Sequence, residues 1–318
     1  MVFQKKKQKT RGNGDGVNNY VVYRKILESG HLDVGAGHKL YYELCGNSNG
    51  PLMVQNKGGP GGTLKDKDKK CYNLKKYQVL FYDQRGCGRS TFKQLLKHNT
   101  TQHLVDDVKK LIEHVNQSKA IITGGSWGST ISLLFAITYP EMTKELRLSG
   151  IYLGTKKESD FRINLKTYYP QVHGFLEGIY GDNYLRAIWS RVLSSKDATA
   201  AKHMEISECA LMTYLFDFKK AIKTEVTYEN SHKIFAHYLS NDCFLPSNYI
   251  LKNLHNIKSI KTSIVHGTHD LLCLPIVAQT VAGKLDNCKL HFVVGSHYED
   301  KGDTSSQLMK KIMKEYAR

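Results

Sequence analysis

Along most of the chain, short apolar runs alternate with stretches in which apolar residues recur every three or four positions. The runs predict buried strands at 38–44, 52–55, 78–82, 120–123, 146–148, 262–267 and 290–294. A further short run at 21–23 is expected to pair with 38–44 across the turn Gly35-Ala36-Gly37. The longer period marks a helix over 101–115, with Leu104, Val105, Val108, Leu111, Ile112 and Val115 on one face. A second helix over 130–137 stops before Pro140. Strands alternating with helices predict an α/β fold, a mostly parallel sheet covered by helices on both faces.

That rhythm breaks between 154 and 250, where the pattern is helical and aromatic-rich without clear strands, and then resumes. The expected organisation is a basic arm at 1–20, a first core part at 21–153, a helical cap at 154–250 and a second core part at 251–318.

Composition narrows the function classes. The 318 residues carry 46 Lys and Arg against 29 Asp and Glu, a net charge of +17. Such a field favours polyanions, but the lysines are scattered, as on a solvated surface. Only Lys5, Lys6, Lys7, Lys9 and Arg11 form a compact block, so nucleic-acid binding is expected, if at all, through that arm. No apolar run has the length of a bilayer-spanning helix, and no apolar stretch of signal-peptide type follows the basic start. Seven cysteines with no C-x-x-C pair point to reduced thiols in a cytoplasmic setting and away from structural zinc.

The chemistry concentrates at Gly124-Gly125-Ser126-Trp127-Gly128, a G-x-S-x-G run between a predicted strand and a predicted helix. A tight turn there lifts the Ser126 hydroxyl above the sheet, and the flanking glycines remove side chains that would clash. A serine nucleophile needs a base, and the base an orienting acid. Asp270 follows the strand ending at Gly267, and His297 follows the strand ending near Val294. Both belong at the carboxyl edge of a parallel sheet, in the order nucleophile, acid, histidine. His269 competes with His297 for the base, but its neighbour Asp270 suits the acid slot better. The backbone N–H of Trp127 and one from Gly58-Gly59-Pro60-Gly61-Gly62 are candidate oxyanion donors.

These pieces together resemble the proline iminopeptidases, which are α/β-hydrolases. The likeness runs from about Leu32 to about Glu299 and is densest in GGPGG, LFYDQRGCGRST, GGSWGSTISLLFAITYPE and HGTHDLLCLP. It implies Ser126, Asp270 and His297 as a catalytic triad, Gly59 and Trp127 as oxyanion donors, and a helical cap over the site. It implies removal of an N-terminal residue, typically proline, from peptides with a free N-terminus, without metal or organic cofactor.

In the family two cap glutamates read the cationic amine. The resemblance puts Glu208 at the first position and Phe235, a departure, at the second; Glu205 or Asp242 could compensate. Tyr152 and Cys273 fall on pocket positions with similar character, whereas Leu239 replaces an aromatic and Arg162 a tyrosine. Ser149 stands for the usual arginine and Lys57 for the histidine before GGPGG. Three alternatives stay open. They are a hydrolase of altered specificity (another aminopeptidase, an esterase or an amidase), a non-catalytic binding protein on this scaffold, and polyanion binding through the arm.

Overall fold

A computed structural model describes residues 26–297; the basic arm, the expected strand at 21–23 and the residues after His297 lie outside them. The first core part contributes β1 (Ile26–Gly35), β2 (His38–Gly46), β3 (Leu52–Asn56), the short α1 (Asp66–Lys69), β4 (Gln78–Tyr82), β5 (Thr91–Phe92), α2 (Thr101–His114), β6 (Ala120–Ser126), α3 (Trp127–Thr138) and β7 (Thr143–Ile151). Eight helices follow without an intervening strand: α4 (Lys156–Ser159), α5 (Arg162–Tyr168), α6 (Pro170–Tyr180), α7 (Tyr184–Ser195), α8 (Ala198–Met212), α9 (Phe218–Lys223), α10 (Asn230–Ser240) and α11 (Tyr249–Asn253). The sheet then resumes with β8 (Thr262–Gly267), α12 (Pro275–Ala282) and β9 (Cys288–Val293).

All nine strands of the described residues join one sheet in the order β1-β2-β4-β3-β6-β7-β8-β9, with β5 paired to β2. From β4 through β9 along that order every pairing is parallel, while β2 pairs antiparallel with β1, β4 and β5. The described partner of β2 is therefore β1, whereas the sequence pattern points to 21–23. The reason is visible in its burial: only Val34 of β1 is fully buried, and exposed Glu28, His31 and Asp33 alternate with half-buried Leu27 and Leu32. An edge strand with one wet face dilutes its own apolar signal.

The strands at the centre of the sheet are buried on both faces. In β4, Leu80 and Tyr82 join the large core with α2 and α3, and Val79 and Phe81 point the other way into a smaller cluster with Leu74, Tyr77 and Ile121. Helix α3 packs on β6 and β7, and α12 on β7, β8 and β9. Arg85 and Asp107 form a buried bidentate pair, Nε to Oδ2 at 2.7 Å and Nη2 to Oδ1 at 2.6 Å, locking the loop after β4 to α2. In the helical segment, α7 packs against α8 and α10. Helix α8 starts at Asp197, whose carboxylate accepts from the Thr199 and Ala200 N–H groups. No described helix is long and apolar enough to cross a membrane.

Candidate active site

Ser126 ends β6 and directly precedes α3, which starts three residues earlier than the periodicity predicts. Its backbone lies at φ 56°, ψ −129°, a conformation that L-residues adopt only when their surroundings enforce it. Here the enforcing contacts are local. The Ser129 hydroxyl donates to the Ser126 carbonyl at 2.7 Å and accepts from the Tyr152 N–H at 3.1 Å, pinning the first turn of α3 to the end of β7. The Ser126 side chain lies near the Cys273 thiol and offsets part of the upward push that burial gives that thiol's pKa.

Asp270 and Cys273 sit on the loop after β8. The Asp270 Oδ1 accepts from the Leu272 and Cys273 N–H groups at 3.1 and 2.8 Å. Its Oδ2 accepts from His297 Nδ1 at 2.7 Å, with both side chains nearly dry. Burial alone lowers the His297 pKa, but the charge and hydrogen bond of Asp270 outweigh it, and the net value stands above that of an ordinary histidine. His266 props the same loop from below: Nδ1 accepts from the Ile151 N–H at 3.1 Å, so Nε2 carries the proton and donates to the Cys273 carbonyl at 2.7 Å. Burial lowers its pKa, which keeps this tautomer neutral.

The two halves meet through β7. Ser126 pairs in register with Ile151, and the preceding Gly150 has φ +49°. A Cβ on Gly150 would stand 3.3 Å from His297 Cε1 and 3.7 Å from Asp270 Oδ2, so this glycine is what lets the imidazole lie against the strand end. His269, the competing histidine, is exposed; its ring meets Tyr214 and its Nδ1 meets Thr268 Oγ1, away from Asp270.

The glycine-rich loop after β3 closes another side. A Cβ at Gly58 would lie 3.5 Å from the Ser126 Cβ, so the loop runs directly over the serine. Gly59, at φ +126°, could carry no side chain: a Cβ would lie 2.7 Å from the Gly61 and Gly62 nitrogens. Gln84 Nε2 anchors the loop by donating to the Lys57 carbonyl at 2.8 Å. Lys57 does not leave a loose charge at the site, because its Nζ is 2.6 Å from Asp68 Oδ2.

Among the helices, α8 brings Glu208 toward this cluster. Its negative charge is felt at the Cys273 thiol, whose pKa burial already pushes well up. Glu208 is partly buried and has no hydrogen-bond or ion-pair partner among the described residues. Burial first, and the neighbouring Glu205 second, push its pKa up to about 8. Phe235 and Leu239 are buried on α10 at 8% and 3% exposure, within the main core. Tyr152 directs its hydroxyl to Ser159 Oγ at 2.8 Å, and its ring lies 6.4 Å from that of Trp127.

Other residues singled out from the sequence lie apart. Arg162 is spent on Asp160, Asn183 and the Asp182 carbonyl. Asp242 faces Arg186 at 3.6 Å. Ser149 places its hydroxyl where a Gly125 side chain would begin. Two contacts have no sequence signal: the His266 prop, and the pairing of His232 with Glu205, itself a candidate from the sequence, at 2.8 Å; both join residues from separate elements.

The profile of the α/β hydrolase fold family matches residues 51–298. The chain is 33% identical over 273 residues to a proline iminopeptidase of Arabidopsis thaliana, covering 81% of this chain and 72% of that one. It is 34% identical over 269 residues to a proline iminopeptidase of Xylella fastidiosa, covering 78% and 83%. Among solved structures, a hydrolase from Pseudomonas aeruginosa superposes with a TM-score of 0.66 over 92% of this chain and 98% of that one, at 18% identity, a likeness of fold alone.

Proposed function

This chain belongs to the proline iminopeptidase family of α/β-hydrolases, and on that footing we propose that it is a serine exopeptidase releasing an N-terminal residue, preferably proline, from peptides. His297 takes the proton of the Ser126 hydroxyl as Ser126 attacks the first carbonyl carbon. Asp270 orients His297 and stabilises the imidazolium that forms. The Gly59 and Trp127 N–H groups receive the oxyanion. His297 then gives its proton to the departing peptide amine. Water, deprotonated by the same histidine, cleaves the acyl-enzyme, releasing the amino acid and restoring Ser126.

The observation that carries this reading is Glu208. A partly buried carboxylate without a partner is unfavourable unless a cation arrives to meet it. An ammonium group at the start of the substrate is such a cation, and anchoring it there leaves only the first peptide bond within reach of Ser126. The helical segment at 154–250 acts as the cap that carries this reader. A reducing, cytoplasmic setting, the expectation drawn from the cysteine pattern, belongs to the same proposal.

The test is a panel of aminoacyl-naphthylamides, with free and acetylated prolyl forms beside short acyl esters, for the wild type and Ser126→Ala. The expected result is fast turnover of the free prolyl compound, blocked by acetylation and abolished in the variant. Ester turnover with no preference for a free amine would replace this reading with a hydrolase of other specificity. No serine-dependent turnover of any compound would overturn it in favour of a binding scaffold.

A further inference from the structure

We propose that Glu205, held in place by His232, is the second carboxylate that reads the substrate's amine in this chain, a task that buried Phe235 does not perform. The proposal rests on the aminopeptidase reading above and deepens it.

A prolinium nitrogen presents two N–H donors, and a primary ammonium three. These donors diverge tetrahedrally, so a single carboxylate meets one of them with good geometry, and a desolvated cation with a poorly met donor binds weakly. A second carboxylate lies on the same helix. Glu205 precedes Glu208 by three residues, a spacing that places both on one face of α8. The two are close enough that the Glu205 charge raises the Glu208 pKa. Like charges one turn apart are mutually unfavourable, and a cation between them reverses that sign.

His232 explains why Glu205 stays there. Its Nδ1 accepts from the Glu229 N–H at 2.9 Å, so the proton sits on Nε2, which donates to Glu205 Oε1 at 2.8 Å. The imidazole is 7% exposed and the Glu205 side chain 46%, so a rigid buried donor orients a carboxylate that keeps an open side. The pair also lies near the reacting end of the site. Ser231, adjacent to His232, packs on the glycine-rich loop: a Cβ at Gly61 would stand 3.0 Å from the Ser231 carbonyl. Thus α10 spans from the loop over Ser126 to the acidic face of α8. Phe235 sits one turn further along α10, 8% exposed in the core.

The test measures kcat and KM of the full chain on prolyl-β-naphthylamide, on its N-acetyl form and on p-nitrophenyl butyrate, for the wild type, Glu205→Gln, His232→Phe and His232→Gln. The readout is the ratio of kcat/KM on the amine substrate to that on the ester. Glu205→Gln is expected to lower this ratio about tenfold or more, chiefly through KM. His232→Phe, which removes the donor, should lower it similarly. His232→Gln, which can still donate to Glu205, should restore most of it, an outcome that simple loss of packing does not produce. A wild type that favours the free amine strongly, with Glu205→Gln retaining that preference within twofold, would overturn the role of Glu205 and leave the aminopeptidase reading standing. A wild type indifferent to acetylation of the prolyl amine would remove the reading itself, and this proposal with it.

Discussion

Glu208→Gln separates amine recognition from chemistry by its pH dependence. The Glu208 carboxyl titrates at about 8, and a free N-terminal amine ordinarily titrates at about 7.7–8.0. The productive complex holds one proton between them. Below this range free Glu208 is neutral, and above it the substrate amine is neutral, so kcat/KM for a free-amine substrate should peak near pH 8. A hydrogen bond to a charged group contributes about 1.5–3 kcal/mol, so replacing the carboxylate by an amide should lower kcat/KM about ten- to a hundredfold at that pH. Two pH units lower, only about one carboxyl in a hundred is ionised in the wild type. The wild-type advantage should therefore shrink toward unity near pH 6. The assay is kcat/KM from pH 5.5 to 9.5 on prolyl-naphthylamide, with an acyl ester as control.

The same group also links to stability. Its folded pKa lies above the unfolded value, so the folded chain holds the extra proton, and stability falls as pH rises from about 4.5 to about 8. The amide variant escapes that loss, which grows by up to about 1.4 kcal/mol per pH unit crossed, and should melt above the wild type at pH 9 but not at pH 4. A wild-type-to-variant activity ratio constant from pH 6 to 9, or an equal loss on the ester, would refute the assignment of Glu208 to the amine.

Asp270→Asn should cut kcat by about 10⁴-fold, the scale of a triad whose histidine loses its orienting carboxylate. Because Asp270 is what lifts the His297 pKa against burial, the acid limb of the residual activity should move to lower pH, as a rate–pH profile will show. Gly150→Ala would set a methyl 3.3 Å from His297 Cε1 at φ +49°. A displaced imidazole should lower kcat about a hundredfold, with circular dichroism unchanged if the effect is local. Arg85→Met leaves Asp107 buried without its partner; urea melts should show a loss of about 3–5 kcal/mol.

Much of the architecture was legible because its causes are local. Buried strands such as β4 and β8 are continuous apolar runs, and α2 shows its face through the 3.6-residue period. The G-x-S-x-G turn carries its own geometric requirement, since only small neighbours permit the Ser126 backbone conformation. β1 carries a weak signal in the sequence because an edge strand needs just one apolar face. Helix α3 begins earlier than its apolar period implies because Ser126 itself makes the turn, which leaves no separate loop to read.

The sequence by itself determined the order of elements, the turn that presents Ser126, and the positions of Asp270 and His297 beyond strand ends. Each of these follows from periodicity or from a residue's own backbone preference. Only the tertiary structure decided which of the charged and polar residues stand together. It spent Lys57 on Asp68 and Arg162 on Asp160, turned His269 outward to Tyr214, and set Glu205 against His232. Those pairings join residues from different loops and helices. Their partners are chosen by distance and desolvation in the packed state, which a linear pattern does not encode.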